Sequence, residues 1–256
     1  MASASSLRCV VGALAALGLL AGCGRTQAEP VTLSGLQDRT LQFTLTDVDS
    51  LERTSAAGSH RFTLTFSAGT SCVRLVDGVT ASLNGQLMQL EPGGVPDTGV
   101  GGREVCELPR ATFDFDPAQW AAEPTEDLRI TLQDGTHAMR LVLQHGKAKR
   151  RLVRTSGSSG TLRRGQTHPY VWLPDTDTLP ELVQASLIPL GGGAAATLTV
   201  QQSGNAVGVV VPSGTVEGPY TLRLSGTAQT EVVTCEGVAR CEGAVFHSED
   251  VDVSVL

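Results

Sequence analysis

Four pairs of carboxylates stand two residues apart: Asp47 and Asp49, Asp114 and Asp116, Asp175 and Asp177, Asp250 and Asp252. On a strand, residues i and i+2 point to one side. Each pair could therefore act as the acid and base of a glycan hydrolase, or offer oxygens to a calcium ion. Asp114/Asp116 and Asp250/Asp252 interleave with apolar residues, the pattern of a solvated strand face. Asp175-Thr176-Asp177, with Glu181 nearby, is the best calcium candidate, but it lacks the ligand run and the glycine of an EF-hand. Five histidines (His60, His137, His145, His168 and His247) could supply a base. No G-x-S-x-G, H-E-x-x-H, Walker A or helix-opening G-x-G-x-x-G accompanies them. Gly157-Ser158-Ser159-Gly160 is one residue short of the first of these motifs.

Charge is distributed in three blocks. Residues 23–134 hold 8 Arg and 16 acids, residues 135–174 hold 8 Lys or Arg and no acid, and residues 175–256 hold 2 Arg and 10 acids. The basic block contains Lys147, Lys149, Arg150, Arg151, Arg154, Arg163 and Arg164. It reads in two ways. It is an anion site for acidic lipid headgroups or glycans, or a connector whose charges are neutralised by the acidic parts and by water. Tyr170 and Trp172 share one side of a strand. They either stack on sugars or belong to a core, and large aromatics usually bury most of their area.

The elements that must position these residues are strands. Leu41, Phe43 and Leu45 alternate with polar residues, as do Phe62, Leu64 and Phe66. The same period of two runs through 128–132, 139–143, 220–224 and 251–255, as in antiparallel sheets with one wet face. Asn84-Gly85 and Asp134-Gly135 can supply the positive φ of two-residue hairpins. Helix is scarce: Asp116 is the expected N-cap of a short helix with Pro117 at its first position, ended by Pro124, and Leu179–Gln184 could form a second turn. The expected fold is all-β, with two antiparallel sandwich modules in tandem, residues 31–153 and 154–256, and a flexible boundary near Arg151–Gly160. Gly218-Pro219-Tyr220-Thr221-Leu222-Arg223-Leu224 resembles the strand of immunoglobulin-like and fibronectin-like modules that opens with a corner tyrosine. That resemblance assigns a role to Tyr220.

Residues 1–22 have the form of a leader, with Arg8 as its positive region and Cys9–Leu20 as an apolar run of 12 residues. A permanent span needs roughly 20 apolar residues, so the segment reads as a signal peptide. Leu20-Ala21-Gly22-Cys23 resembles the lipobox of bacterial lipoprotein precursors. The resemblance implies cleavage between Gly22 and Cys23, acylation of Cys23 and attachment to the membrane through it. Gly24 is not the Asp of that family's inner-membrane retention signal, which implies the outer membrane if the cell has one. Residues 24–30 then form a tether that reaches roughly 25 Å when extended. Of the remaining cysteines, Cys72, Cys106, Cys235 and Cys241 allow three disulfide connectivities. Cys72–Cys106 and Cys235–Cys241 is the one that keeps each pair within half of the chain.

These readings converge on a lipid-anchored cell-envelope protein with a binding or structural role. Its expected partners are the membrane and an anionic envelope lipid or glycan, or another envelope protein. Catalysis, cofactor, metal and nucleic acid are not expected. The rivals are a glycan-active hydrolase using a carboxylate pair and a subunit of an envelope complex.

Overall fold

The structure, a computed structural model, describes residues 28–49, 57–96, 105–122, 126–157, 160–179 and 183–256. The leader, Cys23 and the tether up to residue 27 lie outside the described residues, as do Ser158, Ser159 and Glu181. Strands dominate what is described. The helices are a 3-10 turn, Leu33–Leu36, and the short helix Pro117–Ala121. Asp116 caps that helix through a bond from the Ala118 N–H (2.9 Å), with Pro117 at its start.

Two apolar cores form, each between two sheets. In the first, one sheet holds Thr80–Leu83, Gln86–Leu87, Leu128–Gln133, Ala138–Leu143 and Val232–Glu236. The facing sheet holds Thr40–Asp49, His60–Phe66, Arg110–Asp114 and the beginning of the long strand Arg240–Val255. The inward residues are those the alternation marks: Leu41, Phe43, Leu45, Phe62, Leu64, Ile130, Leu132 and Leu141. In the second, Arg151–Arg154, Thr167–Leu173 and Ala206–Val210 face Gln184–Pro189, Gly218–Ala228 and the end of Arg240–Val255. The strand Ala196–Ser203 switches sheets, pairing first with Gln184–Pro189 and then with Ala206–Val210. Tyr170 and Trp172 are buried in this core.

The sequence does not move from one core to the other once. It crosses near residues 146–150 and then returns. Val232–Glu236 pairs with Ala138–Leu143, and Val245 belongs to the first core. The return is made by the 16-residue strand Arg240–Val255. Arg240–Glu249 pairs in parallel with Thr40–Asp49, while Val245–Val255 pairs antiparallel with Gly218–Ala228. Residues 245–249 are paired on both sides, so one continuous sheet runs through both sandwiches. At about 3.3 Å per residue this strand is on the order of 50 Å long. Gly243 permits the contact, because a Cβ there would collide with the Phe43 carbonyl oxygen.

The ends of this sheet are distinct. Glu29–Val31 pairs with Val73–Leu75, Leu33 N–H donates to Asp134 Oδ2 (3.0 Å) and Ala239 N–H donates to the Arg39 carbonyl (3.1 Å). The first described residues thus sit beside the beginning of the shared strand. At the opposite end, Gly218 pairs with Val255, Leu190 N–H donates to Pro219 and Arg164 N–H donates to Leu256.

The disulfides are Cys72–Cys106 and Cys235–Cys241, with Cα separations of 5.7 and 5.8 Å. They place the folded chain in an oxidising, extracytoplasmic compartment. Among the described residues, no helix is long and apolar enough to cross a membrane. Asn84 and Gly85 both have positive φ and close a two-residue hairpin. The Asp134-Gly135 expectation needs correction. Residues 134–137 form a longer loop, because the Asp134 carboxylate accepts from the N–H groups of Thr136 (3.0 Å) and His137 (2.8 Å) and winds the backbone around itself. Gln184, assigned above to a helical turn, begins a strand, and residues 180–182 lie outside the described residues.

The Tyr220 hydroxyl donates to the Val216 carbonyl at 2.9 Å, four residues upstream. This is the geometry of a tyrosine corner. Tyr220→Phe removes one hydrogen bond and leaves the ring, so the expected loss is about 1 kcal/mol. Urea unfolding checks this, and an unchanged midpoint would show that water replaces the bond at no cost.

Candidate binding site

Register decides which polar side chains meet. His247 pairs with Asp47, and Asp47 pairs with His60, so three polar residues stand in one row across three neighbouring strands. Glu249 and Asp49 form the next row on that face. The Asp47 carboxylate meets His60 Nδ1 at 3.0 Å and His247 Nδ1 at 3.3 Å. His247 Nδ1 also donates to the Asp47 carbonyl (3.0 Å), and its Nε2 lies 3.6 Å from Glu249, an ion-pair contact rather than a hydrogen bond. His247 is fully buried, with Trp172 edge-on to it at 5.8 Å. Burial alone would lower its pKa. The carboxylates of Asp47 and Glu249 outweigh that and raise it to about 9. For Asp47, burial pushes upward but the two imidazoles win and hold the carboxyl below its usual value.

The connector from the first core lies over this ladder. Lys149 Nζ is 2.8 Å from Asp49, and Lys147 Nζ is 2.7 Å from Glu126. Arg150 is buried, at 1% exposure. Its Nε and Nη2 reach the Asp177 carboxylate at 3.0 and 3.3 Å, and its Nη1 donates to the carbonyls of Gly146 (2.7 Å) and Ala148 (2.9 Å). The Trp172 indole N–H completes Asp177 at 3.3 Å. Lys147 and Lys149 therefore tie this segment to acids of the first half of the chain, Lys149 remaining largely exposed, while Arg150 is withdrawn from solvent and ties it to Asp177. Glu126 and Asp49 come from the first half of the chain and Asp177 from the second. A buried Asp177 engaged by Arg150 also removes Asp175-Thr176-Asp177 as an open calcium loop.

Asp47, Asp49 and His60 bring donor atoms within 4.8 Å of one another. They offer one nitrogen and two carboxylates, three of the four ligands of a zinc site. The Lys149 ammonium already neutralises Asp49, and Asp47 is shared by two imidazoles, so the group reads as an ion-pair ladder.

The other four basic residues separate. Arg164 pairs with Glu217, and Arg151 is exposed on an edge strand. Arg154 and Arg163 line a depression of about 490 Å³ at the far end of the second sandwich. Arg154 Nη1 donates to the Thr161 carbonyl (2.5 Å) and its Nη2 to His168 Nδ1 (2.8 Å). His168 in turn donates from Nε2 to the Arg163 carbonyl (3.1 Å), the tautomer that this network requires. Burial, with the Arg154 charge beside it, holds the His168 pKa below the ordinary histidine value. A neutral imidazole therefore fixes both arginine segments. The sequence could not single out His168, because nothing local announces that it joins residues 154 and 163.

A second depression, of about 550 Å³, lies in the first sandwich and is lined by Asp114, Asp116, Phe115 and Trp120, among others. It holds both members of one carboxylate pair, as the hydrolase reading asks. The chemistry does not follow. Arg61 grips Asp114 with two bonds (2.6 and 2.8 Å) and holds its pKa down, and Asp116 is engaged as a helix cap. A general acid needs a raised pKa. Asp250 is likewise gripped by Arg223 (2.8 and 2.9 Å).

No family model and no curated protein matches the chain. Among solved structures it is similar to SGBP-B of the Bacteroides ovatus mixed-linkage glucan utilization locus, in complex with a mixed-linkage heptasaccharide. Identity is 13%, the TM-score is 0.23, and the match covers 77% of this chain and 41% of that one. It is also similar to a tetra-tandem repeat from the extending region of a large adhesion protein, at 14% identity and a TM-score of 0.21, over 84% of this chain and 49% of that one. The chain spans less than half the length of either.

Proposed function

We propose that this protein is a lipid-anchored component of the cell envelope that acts by binding, with the first sandwich next to the membrane and the second held away from it. The observation that carries this reading is the placement of the two ends. The described chain starts at one end of the continuous sheet, and the basic depression opens near the other. A diacylated or triacylated Cys23 gives stable anchoring, and seven tether residues keep the first sandwich close to the bilayer. The charged joint makes the pair of sandwiches a spacer of defined length. The exposed apolar residues Leu190, Val216 and Leu256 also lie at the far end. They favour a second reading, a subunit that docks another envelope protein there.

The test is Cys23→Ala. The variant is expected to leave the membrane pellet for the soluble extracytoplasmic fraction and to lose incorporation of labelled palmitate. A variant that stays in the pellet after a carbonate wash, beside a wild-type protein that takes up no palmitate, would overturn the anchor.

A further inference from the structure

We propose that the far-end depression of the second sandwich is a binding site for an acidic saccharide, with an oxyanion held at Arg154 and Arg163 and sugar hydroxyls met by Ser156, Thr161, Gln166 and Thr167. The inference rests on the binding reading above but is independent of the anchor.

Three observations carry it. First, among the described residues no Asp or Glu lines the depression. It is built almost entirely from residues 135–174, the one part of a chain of net charge −7 that contains no acid. Its charged side chains, Arg154 and Arg163, are both cationic, and cations gathered in a concave surface focus their field on a ligand of the opposite sign. Second, the Arg154 guanidinium and the Arg163 backbone are positioned in advance. Arg154 is fixed between the Thr161 carbonyl and His168, and the same imidazole holds the Arg163 backbone. Gly157 has φ +81, and a Cβ there would lie 3.1 Å from Arg154 Nη2, so the loop leaves room for the guanidinium. A guanidinium held in place loses less freedom when it engages a planar carboxylate or a phosphate. Third, half of the remaining lining residues, Ser156, Thr161, Gln166 and Thr167, carry a hydroxyl or amide. Those groups donate and accept, as a sugar hydroxyl does. If the chain is anchored as proposed above, a lipid headgroup is also disfavoured by position, because the depression lies remote from the end where the described chain starts.

The carboxylate of a uronic acid and the phosphate of a phosphorylated sugar present the same chemistry, so the experiment separates them. The Cys23→Ala chain in solution is titrated calorimetrically, at low ionic strength, with trigalacturonate, phosphorylated maltotriose, neutral maltotriose and inorganic phosphate. One charged trisaccharide is expected to bind at least tenfold more tightly than both maltotriose and phosphate, and its identity names the oxyanion. Arg163→Glu and Gln166→Glu, both at exposed positions, are each expected to weaken it at least tenfold. Arg151→Glu, outside the depression, is expected to stay within twofold. Equal binding of maltotriose, equal binding of inorganic phosphate, insensitivity to Arg163→Glu, or no binding of any probe would each overturn the proposal. None of these results depends on whether Cys23 carries a lipid.

Discussion

Replacing Asp177 with Ala is expected to destabilise the protein by about 3–5 kcal/mol, the cost of removing one partner of a buried ion pair. Arg150 has no route to solvent at 1% exposure. Without Asp177 its Nε and Nη2 lose their acceptor, and so does the Trp172 indole. The carbonyls of Gly146 and Ala148 occupy Nη1 but bring no negative charge. The double replacement Arg150→Met with Asp177→Leu removes both charges and their desolvation penalty together. It is therefore expected to lie closer to wild type than Asp177→Ala does. Urea unfolding measures both variants. A loss below about 1 kcal/mol in the single variant would mean that water reaches Arg150.

The second large effect is a loss of stability in alkali. The folded pKa of His247, about 9, lies above the ordinary value of 6.5. The imidazolium is thus favoured by folding, and its contribution is complete below pH 6.5. It fades as pH rises through 9, where Asp47 and Glu249 are left facing each other around a neutral ring. The difference of about 2.5 pH units corresponds to about 3 kcal/mol. His60, Asp49 and Lys149 face the same cluster. Asp47 acts in the opposite sense: its lowered pKa adds stability above about pH 4 that disappears as the carboxylate is protonated in acid. Thermal unfolding between pH 6 and 10 is expected to fall steeply for wild type and far less for His247→Asn. Parallel curves for the two proteins would show that the wild-type ring is neutral throughout.

What was legible in the sequence is what depends on near neighbours. Period-two alternation marks Leu41, Phe43 and Leu45 as inward residues, and they are. Asp116 and Pro117 announce a helix start through backbone chemistry confined to a few residues. Tyr170 and Trp172 share a face and are buried, as large aromatics usually are. The joint was not legible, because its partners are far apart in the chain: Asp47 and His247 are separated by 200 residues, Arg150 and Asp177 by 27. Arg150 stands in a run of cations that looks solvated, and nothing in its neighbours tells which cation turns inward. The concentration of positive charge at 147–164 was visible. Its division into structural charges at 147–150 and an open depression at 154–168 needed the strand pairing.

The pairing of Arg240–Glu249 with Thr40–Asp49 has a mechanical consequence. The two strands run in parallel, one leading from the first described residues and the other toward the far end of the sheet. A pull applied between those ends drags the strands past each other along their length. Their ten residue pairs would be loaded together in shear, whereas a hairpin pulled open at its tip gives way one bond at a time. A load applied along that direction would be borne by the shared strand.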